Sequence, residues 1–549
     1  MLNHTQDAEL LNSGKNDCEH MKTAAKKLWR YMEGINGLLL ILYCIFSFSA
    51  YAFFIAETSV MFFLRWVLLI TVVSVLVCPL ILRAVRKIGI RSELAEKDSN
   101  VKWVVLFFGV PFVLFLAKYI IYFPGALSND SVKQYTQAVS GTYNDWHPVF
   151  QTLLAIKLPL LLTGGWIGSI SLFQIIGFSL ALGYSLLTVK KVTNTRYAVP
   201  MLLFVMPNPQ TTNIALYPWK DVSFAIGALL LLTFVMQIWF TDGAWIRNLW
   251  HLAAFVVAWV CTTLFRHNAV LFTVPLLIAV FFLIARKTVL IVCVCAGALI
   301  AGIKFPLYSV LGVQSLPQGQ VEMLGLPMTV IGAAVTYSPE KLDEEILDFA
   351  YQVAPREVWE KEYQYGNYND VKWDPQTNNE VIEQYGPGRV VGMAFRCLKE
   401  SPFHALKGLI KLTDVVYTVT DDYEYYELPG IAANPYGIET KGIPALQKVN
   451  EKVTWAVYGL FPRLFMYFGS MHLILLIGVL AKCRLNKWKD WKKILIVLPL
   501  FIYNFGTALL LTGAPDSSRF FYYTFLLMPV LLVFLFAKKK ENERNVISA

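Results

Sequence analysis

Charge is scarce in this chain. Only 16% of its 549 residues are Asp, Glu, Lys or Arg while 56% are hydrophobic, and the mean hydropathy is +0.51. So little polar material cannot cover a soluble protein of this size, which excludes a soluble fold and leaves a polytopic membrane protein. Other absences narrow the reading. There is no Gly-X-X-X-X-Gly-Lys phosphate loop, so nothing points to a nucleotide. No internal repeat or low-complexity tract is present. Of eight cysteines, Cys44, Cys78, Cys261, Cys293 and Cys295 fall in apolar stretches, where a thiol behaves as a small apolar group. Cys18 and Cys483 fall in expected cytoplasmic segments, which leaves Cys397 alone outside and excludes a disulfide within the external loop. No cleavable signal peptide is expected, because the first 36 residues are polar and run into a full-length span.

What is present is a series of apolar stretches long enough to cross a hydrocarbon core of about 30 Å as helix. Twelve spans are expected, at 37–56, 60–83, 103–123, 166–189, 197–213, 221–240, 249–265, 268–285, 287–310, 455–481, 493–511 and 520–537. Basic residues orient them, since Lys and Arg concentrate in short cytoplasmic loops. Lys22 to Arg30, Arg83 to Lys97, Lys190 to Arg196, Arg286 and Lys287, Lys482 to Lys493 and Lys538 to Lys540 fall on one side if 149–162 is a short helix that does not cross. Both termini are then cytoplasmic. The net charge of +10 follows from that topology and implies no nucleic-acid partner.

The expected organisation is a cytoplasmic segment 1–36, two transmembrane helices with a cytoplasmic loop (37–102), a transmembrane core (103–310) containing a first external loop (124–148), an external domain (311–452), C-terminal transmembrane helices (453–537) and a cytoplasmic tail (538–549). The external domain is far longer than a connector requires, and long ordered loops are usually functional. Ser338-Pro339 and Ser401-Pro402 read as helix starts with proline at the first helical position. Helical apolar spacing follows each. The fold class is therefore all-α, with a small helical domain outside.

Ionisable residues that the topology places on the outer face are the site candidates. In the first loop, Ser128-Asn129-Asp130-Ser131 is a helix-start signature, and Asn144-Asp145-Trp146-His147-Pro148 follows. As single residues these read as a cap, a turn and an interfacial histidine. Together, Asp130, Asp145 and His147 suit acid/base work on a polar substrate held at a membrane surface, with Trp146 beside them. The other outer turns bring Lys220 and Asp221, Arg266 and His267, Lys304, and Asp516 with Arg519. Guanidinium and ammonium groups near the lipid boundary suit a phosphate. Lys118, deeper, is a candidate to pair with an acid or a lipid phosphate.

In their order these residues resemble the GT-C fold of multi-pass glycosyltransferases that use a polyprenyl-phosphate-linked sugar. The resemblance covers about 103–537 and rests on Asp130 in the outer loop, His147-Pro148, the turn Trp219 to Asp221, the turn Arg266 to Asn268, and Asp516 with Arg519-Phe520. The chain is most similar to bacterial, Firmicute-type members of unassigned substrate, about twelve helices in all. The resemblance implies that Asp130 is the base that activates the acceptor. Spans 37–56 and 60–83 are additions to that pattern. No external Asp-X-Asp or Glu-X-Asp pair is present, and Asp421-Asp422 is the nearest acidic cluster, so a divalent metal is possible but unsupported by a motif. No cofactor is assigned.

The expected function is transfer of a sugar from the lipid phosphate to a glycan, teichoic-acid-like or lipid acceptor on the outer face. Lys220, Arg266, Lys304 and Arg519 are the candidates to stabilise the phosphate, with membrane lipids as the remaining partners. A transporter or flippase of a lipid-linked or polar substrate is the alternative, suggested by the breaks at Pro200 and Pro207-Asn208-Pro209. A non-catalytic scaffold is the third.

Overall fold

A computed structural model of the chain describes residues 27, 30–55, 60–91, 101–193, 197–314, 319–419, 428–460, 468–483, 485, 488–513 and 517–538. Among the described residues seven helices are long and apolar enough to cross a membrane: Ile35–Phe53, Val60–Lys87, Val101–Ile121, Gly168–Thr193, Lys220–Phe240, Arg286–Val310 and Arg519–Phe536. Shorter apolar helices include Val149–Leu162, Leu249–Phe265, His267–Phe281 and Phe468–Lys482. The chain is an all-α polytopic membrane protein. Apart from isolated bridges, strand pairing among the described residues is limited to Ile90–Arg91 alongside Ala537–Lys538.

One expected span is corrected. The stretch 197–213 is two short helices, Ala198–Val205 and Pro209–Ile214, because proline cannot donate to the preceding turn and pushes the residue before it out of helical geometry. Of the expected span 455–481, the described residues are helical in Pro444–Leu460 and Phe468–Lys482, and 461–467 lie outside the described residues.

The chain separates into two units, residues 1–89 with 476–491, and residues 90–475 with 492–549. In the first, Ile35–Ile55 packs along Val60–Lys87. Asn36 Nδ2 donates to the carbonyls of Leu480 and Cys483, each at 2.7 Å, and Glu33 pairs with Arg83 at 2.7 Å and Arg86 at 2.5 Å.

The second unit is built around Lys220–Phe240, which is apolar on every side and therefore buried. Gly168–Thr193, Leu249–Phe265 and Tyr523–Phe536 pack against it. Small residues permit the closest of these approaches, as is common between transmembrane helices. A Cβ on Gly227 would stand 2.2 Å from Thr262 Oγ1. Gly227→Val is accordingly expected to destabilise the protein by about 1–3 kcal/mol through overpacking, read as a lowered unfolding temperature in detergent; an unchanged temperature would mean the two helices are free to separate.

Within the 311–452 stretch, helices Gly325–Tyr337, Glu344–Val353, Arg356–Glu362, Glu380–Glu400 and Pro402–Thr413 enclose a core of their own, including Ile331, Phe349, Trp359, Tyr368, Ile382 and Met393. Trp359 Nε1 donates to the Ala350 carbonyl at 2.9 Å. The Ser401-Pro402 start is found. The Ser338-Pro339 start is not: a 3-10 turn spans Pro339–Lys341, and the α-helix begins after Asp343, whose Oδ1 accepts from Ile346 N at 2.9 Å. Asp343 is the stronger cap because its ionised carboxylate faces the positive end of the helix.

Candidate active site

Ser128, with extended backbone, caps the helix Asn129–Ser140 by accepting from Ser131 N. Asp130 in the first turn is thereby released from capping. The same Ser128 Oγ accepts from Trp219 Nε1 at 2.7 Å, and the Trp219 ring stacks on Tyr217 at 4.3 Å. Gln134 Nε2 donates to Gln151 Oε1 at 2.6 Å, and Gln151 Nε2 to the Pro218 carbonyl at 3.1 Å. Buried amides thus fix the helix bearing Asp130 to the short helix after His147 and to the turn before Lys220. His267 Nε2 donates to the Asp145 carbonyl at 3.1 Å, which ties a further turn to the first loop.

These elements surround a cavity of about 1250 Å³. Asp130, Asp145, Trp146, His147, Lys220, Arg266, His267 and Arg519 all line it, and so do Glu322, Asn369, Lys372 and Trp373 from the 311–452 stretch. Arg519 Nη1 donates to Asp130 Oδ2 at 2.7 Å, and its guanidinium lies 5.6 Å from the Trp219 ring centre. Arg266 is 7% exposed and sits 2.7 Å from Asp221 Oδ1. Its Nη1 also donates to Tyr503 Oη at 2.6 Å. Lys220 Nζ is 3.3 Å from His147 Nδ1, and His147 Nε2 is 3.8 Å from Asp130 Oδ1. Across the cavity, Lys372 pairs with Glu322 and lies 4.7 Å from the Trp373 ring centre.

Burial by itself would lift the Asp130 carboxyl. The Arg519 and Lys220 charges overcome that and hold it well below the usual carboxylate range. Burial, helped by the Lys220 ammonium, pushes the His147 imidazole down to about 3, so this ring is neutral at pH 7. The arrangement therefore presents an ionised carboxylate, a neutral imidazole and several cations to one volume. That combination can accept a proton at one point and hold an anion at another.

Two sequence candidates are placed elsewhere, Lys304 and Lys118. Lys304 is exposed on the Arg286–Val310 helix and does not line the cavity. Asp516 and the pair Asp421-Asp422 lie outside the described residues. Lys118 is paired with amides, and among the described residues with no acid: its Nζ donates to Asn213 Oδ1 at 2.9 Å and to Asn450 Oδ1. Asn213 reaches it because the broken helix ends there. Among the described residues no group of three or more His, Cys, Asp or Glu side chains is placed to hold a metal. Sequence reasoning missed Tyr503, a tyrosine inside an apolar run, and the Glu322, Lys372 and Trp373 wall. For Lys372 and Trp373 the signal was their adjacency in an aromatic, charged stretch of the long loop.

The fold and cavity define a class: a polytopic all-α membrane protein with a cationic, carboxylate-bearing cavity. No family model and no curated protein matches the chain. Two solved structures are similar to it, both of ArnT from Cupriavidus metallidurans. The one bound to undecaprenyl phosphate is 14% identical, over 79% of this chain and 77% of that one, with a TM-score of 0.30. The apo state is 12% identical, over 80% and 77%, with a TM-score of 0.31.

Proposed function

We propose that this protein is a membrane glycosyltransferase that moves a sugar from a polyprenyl-phosphate donor to an acceptor on the outer face of the plasma membrane, with Asp130 as general base. The observation that carries the reading is the Asp130–Arg519 contact, made across 389 residues of sequence in a chain with few charges, beside Lys220 in one large cavity. A carboxylate next to cations suits proton acceptance from an acceptor beside a phosphate leaving group. Arg519 is the cation assigned to the phosphate. Arg266, already neutralised by Asp221, holds the wall in place. Asp130 stays ionised through mildly acidic pH, and a weak base suffices if the proton leaves late, once the attacking oxygen has become acidic.

The test is turnover of a radiolabelled polyprenyl-phosphate hexose by the purified chain in proteoliposomes. Sugar leaving the lipid supports transfer. The transporter reading has one observation in its favour, the break before Asn213 and its bond to Lys118. Movement of intact donor between leaflets without loss of sugar would establish it instead.

The cavity must also face outward. Cysteine labelling of Ser140→Cys and Thr377→Cys in intact cells, on a background without native thiols, is expected to succeed with an impermeant reagent. Protection of both positions would invert the proposed topology.

A further inference from the structure

We propose that the point between His147 Nε2 and Asp130 Oδ1 seats the attacking oxygen of the acceptor, that this oxygen belongs to a neutral hydroxyl, and that Lys220 is the positioning residue that sets His147 for the task. This rests on the transfer reading above and names the acceptor chemistry of the same site.

The geometry runs from Lys220 outward. With Lys220 charged, its ammonium has three donors and no acceptor, and at 3.3 Å from His147 Nδ1 it makes Nδ1 the acceptor. The ring is neutral, so its proton is on Nε2. His147 is 2% exposed, and its buried Nε2 has no hydrogen-bond partner among the described residues. Asp130 Oδ1 is 3.8 Å away, too far for a direct bond. One oxygen about 2.8 Å from both atoms would bridge them. Asp130 Oδ2 is held by Arg519 at 2.7 Å, which leaves Oδ1 as the free basic atom.

A hydroxyl there accepts from Nε2–H and donates to Oδ1. One lone pair remains for attack, and its proton is already aimed at the base. An alkylammonium has no lone pair to accept from Nε2–H. A phosphate oxygen has no proton to give Asp130 and meets a carboxylate of like charge. In the step itself the hydroxyl O–H bond breaks and its proton passes to Asp130 Oδ1. The oxygen bonds the anomeric carbon, and the bond from that carbon to the phosphate oxygen breaks with its electron pair leaving on the polyprenyl phosphate.

The charged groups facing His147 are Lys220 on one helix, Asp130 and Lys133 on a second, and Arg519 on a third. Removing the Lys220 charge raises the imidazole toward its ordinary range, and a protonated ring then pairs with Asp130 and quenches the base.

Two measurements test this on the full chain in nanodiscs. By imidazole 15N NMR, assigned with His147→Gln, His147 is expected to be neutral and protonated on Nε2 from pH 5 to 8. In Lys220→Met its titration point should rise measurably, while Lys220→Arg keeps it where it is in the wild type. A proton on Nδ1, or no change in a folded Lys220→Met, overturns the role of Lys220. In transfer assays with a polyprenyl-phosphate hexose, glycerol is expected to accept the sugar on a hydroxyl, ethanolamine not on its nitrogen and glycerol phosphate not on its phosphate. Lys220→Met should gain an acid limb, losing about tenfold per pH unit below the new titration point. Transfer to nitrogen or phosphate oxygen at least as fast as to hydroxyl overturns the acceptor assignment. Absence of transfer from wild type to every probe overturns the glycosyltransferase reading and the acceptor assignment with it, while the NMR result still decides the role of Lys220.

Discussion

Asp130→Asn is expected to lower sugar transfer by about 10²–10⁴-fold, the usual range for losing general-base assistance, while the chain still folds and binds donor. Asparagine has the same shape but takes up no proton at neutral pH. The structure removes the competing explanation for a loss, because Ser128 and not Asp130 caps the helix. Arg519 can still donate to the amide oxygen. The measurement is turnover in membranes at matched expression, with donor retention measured separately. Full activity in Asp130→Asn would move the base to Asp145, which also lines the cavity and whose buried Oδ1 lacks a hydrogen-bond partner among the described residues.

Asp221→Ala and Arg266→Ala are expected to fail earlier, in folding. The two side chains are 3% and 7% exposed and 2.7 Å apart, and Tyr503 shares the guanidinium. Removing either partner strands a charge in the interior, which typically costs about 3–5 kcal/mol. The paired replacement Asp221→Leu with Arg266→Met removes both charges and should recover much of that loss. Unfolding curves for the two single variants and the double variant in detergent decide it. Singles as stable as wild type would mean that water reaches the pair. Arg519→Gln, at a partly exposed position, is therefore the cleaner probe of phosphate stabilisation.

The membrane class and most helices were legible because long apolar runs carry their own signal. So were the scattered turns that meet at the cavity, since a charged residue in an apolar chain has few places to be. The breaks at 197–213 and at Ser338 were harder. At Pro207 and Pro209 the apolar count favours one span while backbone chemistry forbids it, and at Ser338 a better cap stands five residues on. Pairing was not legible at all. Nothing in the sequence says that Arg266 turns inward to Asp221 and Tyr503 while Arg519 meets Asp130, because side-chain partners across the chain depend on helix rotation. Lys118 shows the same limit: its partners proved to be amides, not an acid.

A cavity of about 1250 Å³ is wide enough for dozens of water molecules at the roughly 30 Å³ each occupies in the liquid. Water is itself a small neutral hydroxyl compound, and under the proposed chemistry it would bridge His147 and Asp130 as an alcohol does. Under the proposed chemistry the protein cannot exclude this rival by shape; only occupancy of the site by acceptor can displace it. Starved of acceptor, the enzyme should become a slow hydrolase, releasing free sugar and returning the lipid carrier empty.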